Sequence, residues 1–233
     1  MNNLQQYSDL ASQWWESSSP FQDLLHLNPT RFELFDRFVS RWMDKQVLDL
    51  GCGGGFVAEE LARRGAQVVG VDPAVALIEV AKKHAAASDL SIEYRVGNGE
   101  LIPAEDASFD VAFCVDVLEH VADLEKVLRE VHRVLKPGGL FLYDTINKTS
   151  FSFFWMILAL EWISGRIPRG THDWRKFIPP VIMAEKLTKI GFNSLQQTGV
   201  RIHSYKFKGM NLIPQFCLSR KMNCVYLGVA KKL

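Results

Sequence analysis

A chain of 233 residues with 48% hydrophobic and 23% charged side chains carries enough apolar material for one sizeable core. That excludes wholesale disorder and favours a single large domain over two. Its 27 basic residues nearly balance 26 acidic ones, so no global field directs it to nucleic acid.

Four cysteines (Cys52, Cys114, Cys217 and Cys224) form no CxxC pair and read as reduced cytosolic thiols, neither a disulfide frame nor a zinc site. Residues 1–7 are polar and lack the basic cap and apolar stretch of a secretory signal. Residues 1–44 read as a mostly helical cap, broken at 17–20 (Ser-Ser-Ser-Pro) and at Asn28-Pro29, with helical apolar spacing over 30–39.

From 45 to 145 short apolar strands alternate with helices. Strands are expected at 47–50, 67–71, 92–96, 109–114 and 140–144; helices are expected from the glycine cluster to Arg64, over 74–87 and over 124–134. This βαβ order predicts a parallel sheet covered on both faces. The segment 146–180 interrupts the alternation. A helix over 181–190 and two late strands, around 195–204 and 223–230, then close the sheet edge as an antiparallel pair. The expectation is one α/β domain over 1–233 with a seven-stranded, mostly parallel sheet.

The apolar run 151–163 is too short to cross a bilayer of about 30 Å. It is either a helix buried against the sheet or in a dimer interface, or a lid that touches a membrane surface. In the second reading Arg166, Arg169, Arg175 and Lys176 meet anionic headgroups.

The strongest chemical motif is Val47-Leu48-Asp49-Leu50-Gly51-Cys52-Gly53-Gly54-Gly55. A strand that runs into glycines and then a helix lets a ligand approach the backbone. Phe56 stands where a dinucleotide GxGxxG loop needs its third glycine, which argues against a nicotinamide oxidoreductase. Asp49 can accept from the charged amino group of a methionine-like ligand, and the spacing of Gly51, Gly53 and Gly55 matches an S-adenosylmethionine loop. Asp72, at the end of the second strand, can take both ribose hydroxyls or serve as a helix N-cap. Asn98 is either an adenine-side partner or part of an ordinary Asn-Gly turn.

Asp116, Glu119 and His120 follow the fourth strand at i, i+3 and i+4. On a helix they share one face and could hold a divalent cation such as Mg or Zn; otherwise Glu119 and His120 cap and pack the turn, or His120 acts alone as a base. His172, in the irregular stretch Pro168-Arg169-Gly170-Thr171-His172-Asp173-Trp174, faces a substrate or is a surface turn.

These residues resemble the ubiquinone-biosynthesis O-methyltransferases, a family of class I S-adenosylmethionine-dependent methyltransferases with a Rossmann-like fold. The likeness runs through Trp14-Trp15, Asn28-Pro29 with Arg31, the glycine loop, 116–121, Lys136-Pro137-Gly138-Gly139, Asn147, and Gly170-Thr171-His172-Asp173. It weakens after Asn193. The resemblance implies donor contacts at Arg31, Gly51, Asp72 and Val115, and a metal site at Asp116, Glu119 and His120. The family usually has Glu where this chain has Asp116. It also implies a polyprenyl catechol acceptor and a membrane-contacting, substrate-gating role for 146–180. A quinone-biosynthesis complex and a cytoplasmic, inner-membrane-peripheral location follow from it too.

The reaction expected is in-line attack of a phenolate on the sulfonium methyl group. A phenol with a pKa near 10 needs a base at neutral pH. His120 takes that role, helped by Asp116 and Glu119, with His172 as the second candidate. A methyltransferase for another acceptor (another quinone, a lipid or a polyketide) would keep the same donor loop, and so would a catalytically silent donor-binding protein.

Overall fold

The computed structural model describes residues 8–16, 19, 21–164, 167–208 and 211–233. The expectations for 1–7, for most of the break at 17–20 and for Arg166 lie outside the described residues. Eight strands form one sheet in the order β3-β2-β1-β4-β5-β8-β6-β7. Strands β1 (Gln46–Leu50), β2 (Gln67–Asp72), β3 (Glu93–Val96), β4 (Phe109–Cys114) and β5 (Leu135–Ile146) are parallel. Strands β6 (Phe192–Lys208), β7 (Asn211–Ser219) and β8 (Val225–Lys232) complete it antiparallel.

The eighth strand departs from the expected seven. Pro214 inside β7 speaks against a central strand, but β7 is an edge strand, where the missing N–H of proline costs no ladder bond. A second departure is helix α1 (Gln22–Phe35), which runs through Pro29. Proline inside a helix costs about 3 kcal/mol. Here Leu27, Phe32, Leu34 and Phe35 are buried, and that packing outweighs the local preference.

Helices α2 (Phe56–Arg63) and α3 (Val75–Ala87) join α1 on one sheet face, where Phe35, Leu61 and Ile78 pack with Val47 and Phe113. On the other face α4 (Leu124–Val134) and α5 (Pro180–Ile190) place Leu128, Val131, Met183 and Leu187 against Leu48, Phe141 and Tyr143. Alternate residues of the apolar strands feed the two cores, as a sheet covered on both faces requires.

Between β5 and α5 a helical turn, Ser150–Ser152, widens into an 11-residue π-helical segment, Phe153–Ile163. Thr149 and Ser152 cap the turn reciprocally. The two ends of the excursion meet where the Ile178 amide donates to the Ile146 carbonyl at 2.8 Å. The apolar segment is not buried against the sheet: Phe154 is 55% exposed, Trp162 56% and Ile163 77%. No helix of the described residues is long and apolar enough to cross a membrane.

Candidate active site

The chain reverses direction across the sheet between β1 and β4, and α/β sheets open a crevice at the carboxyl ends of such strands. A cavity of about 240 Å³ lies there. The loop after β1 forms its floor. The Gly51 amide donates to the Val71 carbonyl at 2.7 Å, and the Gly53 amide donates to Asp72 Oδ2 at 2.9 Å. Gly51 and Gly53 have φ of 76° and 51°, a left-handed conformation that favours glycine. A Cβ on Gly53 would lie 2.5 Å from the Trp14 ring. Neighbouring Trp15 donates to the Gly54 carbonyl and stacks on His84 at 3.5 Å, so the N-terminal segment straps the loop from outside.

Asp49 is buried at the end of β1, and its Oδ2 has no hydrogen-bond partner among the described residues. Burial first, then the nearby Asp72 charge, push its carboxyl up to about 7, against a hydrogen bond from the Ala58 amide. An orphaned carboxylate oxygen lining a cavity fits an ammonium group. Asp72 holds the loop as well as facing the cavity: Oδ1 accepts from the Ala74 amide at 2.8 Å and Oδ2 from Gly53. Burial raises its pKa above the usual carboxylate value.

Arg31, on α1, is buried between two carboxylates. Nε donates to Asp144 Oδ2 at 2.7 Å, Nη2 to Asp116 Oδ2, and Nη1 to Asn28 Oδ1 and the Leu24 carbonyl. Burial disfavours its charge, but Asp116 and Asp144 more than compensate and hold the guanidinium protonated. Of its five N–H donors, four have partners among the described residues, and the fifth, on Nη2, is available to a ligand. Asp144 also accepts from the Asp116 amide at 2.7 Å, and burial raises its pKa.

The segment 115–121 is a turn, not the helix that the i, i+3, i+4 spacing presupposes. Asp116 has φ 57°, and the His120 amide closes on the Val117 carbonyl. Asp116 turns to Arg31, whereas Glu119 accepts from Thr145 Oγ1 at 2.8 Å. Burial first, then Asp116, lift Glu119 to about 7. His120 is pushed down to about 3 by burial, then by His172 and Lys176, and stays neutral. The His120 and His172 ring centroids are 5.4 Å apart, and both rings line the cavity with Val115, Met156 and Ile167.

A methyltransferase domain family matches residues 48–143, from within β1 to within β5. A ubiquinone biosynthesis O-methyltransferase of Hahella chejuensis is 39% identical over 201 residues, covering 86% of this chain and 84% of that protein. The chain belongs to the ubiquinone biosynthesis O-methyltransferase family. Another relative of that name, from Coxiella burnetii, is 34% identical over 225 residues, covering 97% of this chain and 93% of its own. A solved SAM-dependent methyltransferase from Thermotoga maritima shares the fold, with TM-score 0.65 at 19% identity and full coverage of both chains. This family member is thus an S-adenosylmethionine-dependent methyltransferase with the Rossmann-like class I fold.

Within this family member the cavity gathers Arg31, Asp49, Gly51, Gly53, Asp72, Val115, Asp116, Glu119, His120 and His172. It leaves out two residues singled out from the sequence. Gly55 sits behind the loop, in left-handed conformation at the start of α2. Asn98 is exposed and accepts from the Leu101 amide at 2.9 Å, which is the turn reading. The expected metal cluster does not assemble: among the described residues no three His, Cys, Asp or Glu side chains are grouped to hold an ion. Arg31 and Thr145 already engage the carboxylates concerned.

Lys176, expected to face lipid headgroups, turns inward and donates to the His120 and Val121 carbonyls. Two residues escaped the sequence reading, Asp144 and Glu161, buried polar groups whose partners lie on other elements.

Proposed function

We propose that this protein transfers a methyl group from S-adenosylmethionine to a hydroxyl of a polyprenylated catechol or phenol in ubiquinone biosynthesis. One observation carries the reading: a single cavity joins the glycine loop and the orphaned Asp49 oxygen to two imidazoles and the apolar side chains of Met156 and Ile167. When bound, the donor supplies a methyl group on a positively charged sulfur, so the protein positions two reactants and removes one proton. Asp49 and the free Nη2 proton of Arg31 face the charged ends of the amino-acid moiety, and Asp72 faces the ribose. Val115 and Gly51 shape the wall between them. His120 and His172 stand where an acceptor hydroxyl would lose its proton.

A divalent cation held by Asp116, Glu119 and His120 would have to displace Arg31 from Asp116 and Thr145 from Glu119. The side chains as arranged do not fit one, and the chemistry proposed here routes no step through a metal. The exposed aromatic face of Phe153–Ile163, with Arg169 stacked 4.8 Å over Trp162, supports contact with the cytoplasmic face of a membrane, where a prenyl tail resides.

The test is turnover of a short-tailed polyprenyl catechol with labelled donor, with and without a chelator. Methylated product at equal rates in both arms is the expected result. No product with any catechol would leave only a donor-binding protein, and a chelator-sensitive rate restored by Mg or Zn would return the cation to Asp116, Glu119 and His120.

A further inference from the structure

Of the eleven residues in Phe153–Ile163, the only buried one is the only charged one, Glu161, at 1% exposure. A buried carboxylate persists only where hydrogen bonds replace its water. Among the described residues Glu161 accepts three: from the Gly170 amide at 2.8 Å, the His172 amide at 2.9 Å and His172 Nδ1 at 2.7 Å. The first two tie the 167–173 loop to the π-helical segment. The third acts on the imidazole itself. A carboxylate can only accept, so Nδ1 carries a ring proton, and it is in the neutral tautomer so fixed that Nε2 offers its lone pair. No partner of Nε2 occurs among the described residues, and the ring lines the cavity.

We propose that Glu161 and His172 form a proton-accepting dyad for the methyl transfer, with His172 the catalytic residue and Glu161 its positioning residue. The inference rests on the O-methylation reading above. The acceptor hydroxyl gives its proton to His172 Nε2, and an oxygen lone pair forms the new O–C bond. The C–S bond breaks with its electron pair passing to sulfur, which becomes a neutral thioether. The imidazolium then returns its proton to solvent. Glu161 holds the productive tautomer and offsets the positive charge that develops on the ring, as a carboxylate does for the histidine of a serine-protease triad.

His120 is the weaker alternative on geometry. Among the described residues its ring has no hydrogen bond to a carboxylate, and the Lys176 ammonium donates to the His120 carbonyl. Burial, then His172 and Lys176, also hold it neutral.

Three variants test the dyad: Glu161→Gln, Glu161→Asp and His172→Gln. Glu161→Gln presents an amide N–H or a single acceptor to Nδ1, so the wrong tautomer competes. Its kcat should fall about 10²–10⁴-fold, the range of general-base catalysis. KM for the catechol and calorimetric affinity for S-adenosylhomocysteine should stay within about threefold, since neither depends on the proton acceptor. Glu161→Asp should recover part of the rate.

Nitrogen-15 spectra of the histidines, taken without substrate, should show His172 protonated on Nδ1 in the unaltered protein and shifted toward Nε2 in Glu161→Gln. His172→Gln should lose as much as Glu161→Gln, and the double variant no more than either, because the pair acts as one unit. His172→Gln keeps the loop bonds of Glu161 and so decides the matter if Glu161→Gln fails to fold. Full kcat in His172→Gln, or a Glu161→Gln defect confined to KM, overturns the dyad while leaving O-methylation intact. Absence of turnover in the unaltered protein removes the reading and the dyad together.

Discussion

Replacing Asp49 with Asn should weaken donor binding and strengthen the empty protein at the same time. Asp49 is buried at the end of β1 with one oxygen unpartnered, and its carboxyl is pushed up to about 7, chiefly by burial. A bound ammonium selects the ionised form. The ionised fraction rises from about 3% at pH 5.5 to about half at pH 7, so donor affinity should tighten about fifteenfold over that interval. Binding at pH 7 should release about half a proton, measurable from the buffer dependence of the calorimetric enthalpy.

Asn keeps the shape but loses one charge-assisted hydrogen bond, worth about 1.5–3 kcal/mol, or roughly one to two orders of magnitude in Kd. The stability effect has the opposite sign. A carboxyl whose folded pKa lies above its unfolded value of 3.8 favours the folded state below about pH 4, and that contribution disappears as pH rises through about 7. The Asn variant carries no such loss and should melt higher than the unaltered protein at pH 7. Donor affinity that is flat from pH 5.5 to 7, or an Asn variant that binds as tightly, would refute the assignment of Asp49 to the amino group.

Asp144→Ala removes two hydrogen bonds from a fully buried carboxylate and leaves Arg31 with one counter-charge. A loss of about 3–5 kcal/mol, or roughly 10 °C in Tm, is expected in thermal melts; a shift under about 2 °C would show that Asp116 suffices. Gly53→Ala combines a left-handed backbone with a clash against Trp14 and should cost roughly 2–5 kcal/mol by urea unfolding. An unchanged midpoint would mean that the strap moves aside freely. Changing both Phe154 and Trp162 to Ser should release the protein from anionic vesicles in sedimentation, with turnover of a short-tailed catechol unaltered. Co-sedimentation equal to that of the unaltered protein would rule out this face as the membrane contact.

The donor half of the molecule was legible because its signals are local. Apolar strands, a glycine loop with an acid before it, and Asp72 ending β2 each declare themselves within a few residues. The anchoring of Arg31 and the acceptor side were not. Arg31 meets Asp144 across 113 positions, so nothing near either residue marks the pair. Glu161 could be read only as an interruption of an apolar run, since its partners at Gly170 and His172 lie in an irregular loop. The spacing of Asp116, Glu119 and His120 suggested a helical face, but the positive φ of Asp116 breaks the helix that would align them. β7 was hidden by Pro214, whose place at a sheet edge is a tertiary fact.

The backbone contact between Ile146 and Ile178 gives the segment between them the character of a handle on a single stem. Its entry and exit are fastened to each other at the rim, so the stretch they enclose can be lengthened, shortened or resequenced without unpicking a rung of the ladder between β5 and β8. On the proposed reading, changes there that spare Glu161 and His172 would alter acceptor preference, while the adenosyl-binding half stays bound by its own packing.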